Sequence, residues 1–120
     1  MPPRNTFSRA EKLHLQKDFK RAFKSGRKIV HPAIFIYIFP DNGAARYRRM
    51  GLVVSGKLGM AVDRNRLKRR LREIFRLNKA RLSPSIDIVF VPRPGACKLN
   101  FEALSSAVLG AFTKAGVLNL

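Results

Sequence analysis

Arg64-Asn65-Arg66-Leu67-Lys68-Arg69-Arg70-Leu71-Arg72-Glu73-Ile74-Phe75-Arg76 places seven cations in thirteen residues. The chemistry open to such a run is electrostatic. Guanidinium forks pair bidentately with phosphate oxygens, and each neutralised phosphate releases counterions. At about 100° per residue, a helix puts Leu67, Leu71, Ile74 and Phe75 on one arc. Arg64, Lys68, Arg72 and Arg76 then form a row along its edge, while Arg66, Arg69 and Arg70 take the remaining face. One side is built to be buried and the rest projects charge. Like charges four residues apart destabilise an isolated helix by about a few tenths of a kcal/mol per pair, and only Asp63 and Glu73 lie near enough in sequence to offset them. A solvated helix face normally interleaves both signs. This one is almost wholly positive, which predicts a phosphodiester ligand. With ~6 of these cations on phosphates, log K falls with log salt at a slope of roughly −4 to −5. The Asn65 amide suits either a base edge or a brace to a neighbouring loop.

A second group of residues suits stacking. Phe19 and Phe23 share one face of a helix, and Phe35, Tyr37 and Phe39 share one face of a strand. Together they make an aromatic groove, or equally well a plain core, with Phe39, next to Pro40, the best candidate for core alone. Lys17, Lys20 and Lys24 interleave with the rings, as a groove tracking a single strand by its phosphates requires.

The elements that position these groups are legible from periodicity. Leu15, Phe19, Ala22 and Phe23 predict a helix over 16–24, stopped by Gly26. Residues 29–39, with Ile34 to Phe39 between Pro32 and Pro40, predict a strand apolar on both faces. A turn at Asp41-Asn42-Gly43 leads to a second strand, Met50 to Ser55, expected to form an antiparallel hairpin with the first. The basic helix starts between Met60 and Asp63 and ends near Arg81, before the Ser83-Pro84-Ser85 break. A third strand runs from Ile86 to Val91. Asn100 caps a last helix, 101–115, with Leu104, Val108, Leu109 and Phe112 as its apolar stripe. The result is an α+β fold of order α-β-β-α-β-α, with helices packed on a small central sheet.

Composition agrees. The chain has 120 residues, enough for a single domain over 1–120, with 1–12 expected as a mobile basic arm. Lys and Arg number 25 against 7 Asp and Glu, a formal net charge of +18, while 46% hydrophobic residues indicate a packed fold. A folded domain so charged calls for a polyanionic partner. One cysteine, Cys97, excludes an internal disulfide framework and a cysteine zinc site. The amino terminus lacks the apolar run of a secretory signal, and Ala33 to Phe39 is too short to span a bilayer, so a cytoplasmic protein is expected. Gly51 to Leu58 falls short of a phosphate-binding P-loop because Leu58 stands where a magnesium-binding hydroxyl belongs. His14, His31 and Cys97 have no catalytic neighbours in sequence, and Asp18 reads as a first-turn helix charge. No catalytic constellation and no metal site is expected on the chain.

Lys57, Gly59, Ala61, Val62, Arg64, Asn65, Arg66, Lys68 and Arg69 fit a Lys-x-x-Gly-x-Ala-Val-x-Arg-Asn-Arg-x-Lys-Arg pattern. The run resembles the signature of the protein component of bacterial ribonuclease P, and the element order and the paired Phe19 and Phe23 extend the likeness over nearly the whole chain. The resemblance implies an accessory subunit of an endoribonuclease, with a fold like the second domain of a small-subunit ribosomal protein. The RNA subunit is then expected to position Mg2+ and cut the 5′ leader from precursor tRNA, with no cofactor bound by this chain. Lys57, Arg64, Asn65, Arg66, Lys68, Arg69, Arg70 and Arg72 are expected to hold the catalytic RNA. Phe19, Phe23 and Tyr37 are expected to line the leader cleft, joined by Phe35 from strand parity and by Lys17 and Lys20. The expected partners are ribonuclease P RNA and precursor tRNA, not DNA or membrane. The rival is a non-enzymatic RNA-binding protein such as a small ribosomal protein. A membrane-surface protein fits poorly with the strands, and a helix-turn-helix DNA reader lacks an adjacent helix pair.

Overall fold

The alternating run Ile34 to Phe39 sorts cleanly between two faces of a sheet. In the computed structural model, which describes residues 11–13, 16–40, 42–43 and 47–118, the three isoleucines are fully buried and the three aromatics half-buried. The chain runs α1 (Gln16–Ser25), β1 (Arg27–Val30), β2 (Ile34–Phe39), β3 (Arg49–Leu52), α2 (Ala61–Asn78), β4 (Asp87–Pro92) and α3 (Phe101–Ala115), with 3-10 turns at Gly56–Leu58, Lys79–Arg81 and Ala96–Lys98. The expected α+β order stands, with one more strand, β1, ahead of the first. Expectations placed on residues 1–10, His14, Leu15 and Asp41 lie outside the described residues. Glu11 and Lys12, at the end of the expected arm, are tied down: Glu11 pairs with Lys79 at 2.8 Å, and Lys12 bridges to Met50.

The four strands stand in the order β1-β2-β4-β3. The expected antiparallel hairpin between the second and third of them does not form. β2 pairs antiparallel with β1 on one side and with β4 on the other, while β3 pairs parallel with β4. The reason lies in β4. Ile88, Val89 and Phe90 are all fully buried, so β4 has apolar side chains on both faces and takes a central position. β3, which ends at Leu52 and carries Arg49 and Gly51, is left at the edge. The real hairpin is β1–β2, closed by paired backbone hydrogen bonds between His31 and Ile34 at 3.1 and 3.2 Å. His31 holds that turn, its Nδ1 accepting from the Ala33 amide at 3.0 Å.

The isoleucine face of β2 packs under α2 and α3 with Leu67, Leu71, Ile74, Phe75, Leu104, Val108 and Phe112 as the main core. All four residues of the predicted α2 stripe are buried. Asn100 caps α3 as expected, its Oδ1 accepting from the Ala103 amide at 2.8 Å. Gly116 ends the helix in the left-handed region at φ 71°, where an L side chain is strained. On the opposite face of the sheet α1 covers a smaller cluster of Leu13, Ala22 and Val89, ringed by Phe19, Tyr37, Phe39 and Val91.

A buried ionic network joins α1 to the sheet. Asp87, fully buried, accepts from Arg49 Nε at 2.8 Å, Arg49 Nη2 at 2.9 Å and Asn42 Nδ2 at 2.7 Å. Arg49 also lies 3.6 Å from Asp18, and Arg21 donates to Asp18 at 3.0 Å. The Asp87 hydrogen bonds hold the Arg49 guanidinium above its already very high ordinary pKa, against the opposing effect of burial. Asp18 is thus more than a helix-end charge: it anchors α1 to β3. No described helix is long and apolar enough to cross a membrane.

Candidate nucleic-acid interface

The cations of α2 are not equivalent. Asn65, Arg66, Arg69 and Arg72 are exposed, while Arg64, Lys68 and Arg70 are half-buried. Arg66 donates to Asp63 at 3.1 Å, and Arg76 is turned onto Glu73, with Nε 2.9 Å from Oε2. That hydrogen bond pulls the Glu73 carboxyl below its ordinary pKa. Arg70 Nη1 donates to the Leu99 carbonyl at 2.8 Å, which ties α2 to the chain entering α3. Lys68, Arg69 and Arg72 are left with no hydrogen-bond or ion-pair partner among the described residues. Asn65 likewise has none, so its amide does not brace a loop here. Lys57 stands exposed on the Gly56–Leu58 turn just ahead of α2. Arg64 reaches back toward that turn, its Nη1 3.7 Å from the position of a Cβ on Gly56.

The aromatic residues predicted to share a groove do come together. The Phe23 ring meets Tyr37 edge-on at 4.8 Å between centroids, and Phe19 lies 6.5 Å from Phe23. Phe23 is 41% exposed, the most open of these rings, whereas Phe19, Phe35, Tyr37 and Phe39 are half-buried. Lys17 and Lys20 are exposed on α1. Three cations that the sequence reading did not place belong to this surface. Lys28 Nζ sits 4.3 Å from the Phe35 centroid and 5.8 Å from that of Tyr37, Arg93 lies 4.8 Å from Phe35, and Arg21 lies 5.1 Å from Phe39. Lys28 is the register partner of Tyr37 across β1 and β2, so its place follows once β1 is seen as a strand.

The two surfaces lie on opposite faces of the sheet and meet at the β3 edge. There Lys12, Leu13, Phe19, Met50, Gly51, Leu52 and Arg72 line a cavity of about 170 Å3. Gly51 makes the junction possible. A Cβ at this position would stand 2.5 Å from Cε1 and Cζ of Phe19 and 3.2 Å from the Leu13 Cβ. Gly51→Ala is expected to push the Phe19 ring outward and to cost about 1–3 kcal/mol of stability, as overpacking does. Urea unfolding checks this; an unchanged midpoint contradicts it.

Among the described residues no three of His, Cys, Asp and Glu gather as a metal-binding group. Four of the acids face arginines: Asp18 and Asp87 face Arg21 and Arg49, Asp63 faces Arg66, and Glu73 faces Arg76.

Comparison with known proteins gives the family. A protein from Alkaliphilus metalliredigens named as ribonuclease P protein component is 36% identical over 103 residues, covering 86% of this chain and 91% of its own. One of the same name from Syntrophobacter fumaroxidans is 46% identical over 103 residues, covering 85% of each. The solved RNase P protein of Staphylococcus aureus superposes with a TM-score of 0.81 at 28% identity, over 91% of this chain and 98% of that one. The match to the Ribonuclease P family extends over residues 7–116, nearly the whole of a chain whose cations divide between two faces of one sheet, and the chain belongs to that family.

Proposed function

We propose that the chain is the protein subunit that docks on the catalytic RNA of ribonuclease P through α2 and holds the single-stranded 5′ leader of precursor tRNA in the aromatic cleft. The observation that carries this reading is the separation of two differently built cationic surfaces by one sheet. The α2 surface is dominated by unpartnered cations, which suits the phosphates of a folded RNA. The cleft combines open rings with lysines, which suits a single strand whose bases stack while its phosphates are neutralised.

The role that follows is electrostatic and geometric. Catalytic RNA and substrate are both polyanions, and their repulsion acts over ~10 Å at 0.1 M salt. A small domain of charge +18 set between them screens that repulsion. Hydrolysis is assigned to the RNA and its magnesium; on the chain, Asp18, Asp63, Glu73 and Asp87 are each engaged by arginines.

Phe23→Ala tests the division. Phe23 is exposed, so its loss leaves the fold intact. Stacking is worth ~1–3 kcal/mol per base. Affinity for leader-bearing precursor is therefore expected to fall about 5- to 150-fold, with affinity for leaderless tRNA and for the catalytic RNA unchanged. Equal losses for all three RNAs would overturn the two-surface reading.

A further inference from the structure

Where α2 passes the start of α3, Arg66, Arg69, Arg70, Glu73 and Phe101 line an open cavity of about 400 Å3. Its walls are held from behind. Arg70 is fixed to the Leu99 carbonyl, the Asn100 cap makes Phe101 the first residue of α3, and Arg76 grips the Glu73 carboxylate. Arg69 has no partner among the described residues. The size falls in the range of small-ligand pockets.

A bare phosphate leaves two of these features unused, since it needs no aromatic wall and is repelled by a carboxylate. A nucleotide uses all of them. Its base has a π-face for Phe101, its phosphate takes the arginine forks, and its N–H groups can donate to Glu73. An ionised carboxylate only accepts, and with about four lone-pair sites it can serve Arg76 and a base together. Guanine presents N1–H and N2–H side by side, two donors for two oxygens. Adenine and cytosine offer one amino group on that edge, and uracil one imide N–H.

We propose that this cavity receives an unpaired guanosine of the bound RNA, with Phe101 stacking on the base, Glu73 reading its pairing edge and Arg66 and Arg69 holding the flanking phosphates. The inference rests on the reading of α2 as an RNA-binding surface and deepens it from charge to base identity.

The test uses the full chain and four seven-nucleotide oligouridylates whose central base is G, A, C or U. A bidentate contact discriminates by ~1–3 kcal/mol, so the G oligomer is expected to bind about tenfold more tightly than the others. Glu73→Gln removes a negative charge. It should tighten binding of all four oligomers while collapsing the preference for G; a Glu73 that serves only to hold Arg76 would tighten all four and leave their ratio unchanged. Phe101→Leu, which keeps apolar bulk, should weaken the G oligomer to the level of the others, and Phe23→Ala should leave the preference in place. Equal binding of all four by the unmodified chain overturns the proposal, as does a preference that survives both Glu73→Gln and Phe101→Leu. Assembly of the unmodified chain with ribonuclease P RNA is measured alongside. Assembly without a G preference refutes the pocket alone, whereas a G preference without assembly supports the pocket and refutes the ribonuclease P reading of α2.

Discussion

Asp87→Ala is expected to lower the free energy of unfolding by about 3–5 kcal/mol, the usual cost of stripping one partner from a buried ion pair. Asp87 has no exposed surface and takes both guanidinium hydrogen bonds of Arg49, whose side chain is only 17% exposed. Without the carboxylate, Arg49 is left desolvated with only the 3.6 Å contact to Asp18, and the Asn42 amide loses its 2.7 Å acceptor. The loss also removes one of only 7 acidic residues from a chain of charge +18, which adds self-repulsion. Asp87→Asn keeps an acceptor oxygen but not the charge, so its loss should be intermediate. Urea unfolding in a buffer free of phosphate and sulfate measures both, because bound anions would otherwise support the fold. A loss below about 1 kcal/mol for Asp87→Ala would mean that the network does not anchor β3 and α1.

The second large effect concerns RNA affinity. Lys68, Arg69 and Arg72 have no carboxylate or carbonyl partner among the described residues, so truncating all three leaves the fold's own hydrogen bonds untouched. Each phosphate contact contributes roughly 0.7–0.9 to the slope of log K against log salt. The triple alanine variant should therefore flatten that slope for the catalytic RNA by about 2–3 and weaken binding about a hundredfold near 0.15 M salt. Filter binding over a salt series reads both quantities. Arg76→Ala is the contrast: Arg76 is paired with Glu73, so its removal should leave the slope nearly unchanged. A triple variant with an unchanged slope would show that the RNA lies elsewhere.

The main outline was legible because the deciding signals are local. The α2 stripe of Leu67, Leu71, Ile74 and Phe75, the Asn100 cap and the two-faced run Ile34 to Phe39 each follow from side-chain period or a single hydrogen bond. Strand pairing was not legible, because it is decided at a distance. Nothing near Met50 tells that β4 will insert between β2 and β3; that depends on Ile88, Val89 and Phe90 all being buried. β1 escaped notice for a related reason. Arg27-Lys28-Ile29-Val30 shows one buried residue in four, a weak signal until its partner strand is in place. With β1 unseen, Lys28 could not be set beside Phe35 and Tyr37. The basic face of α2 was read correctly as charge, but the engagement of Arg66, Arg70 and Arg76 by neighbours needs the folded chain, since the Leu99 carbonyl lies 29 residues from Arg70.

Cleavage of precursor tRNA at low magnesium, measured with the chain alone, with ribonuclease P RNA alone and with the two combined, tests the central claim most directly. The account predicts slow or undetectable cleavage by the RNA, none by the nucleic-acid-free protein, and rapid removal of the 5′ leader by the mixture. Cleavage by the protein alone, or a mixture no faster than its RNA, would contradict it.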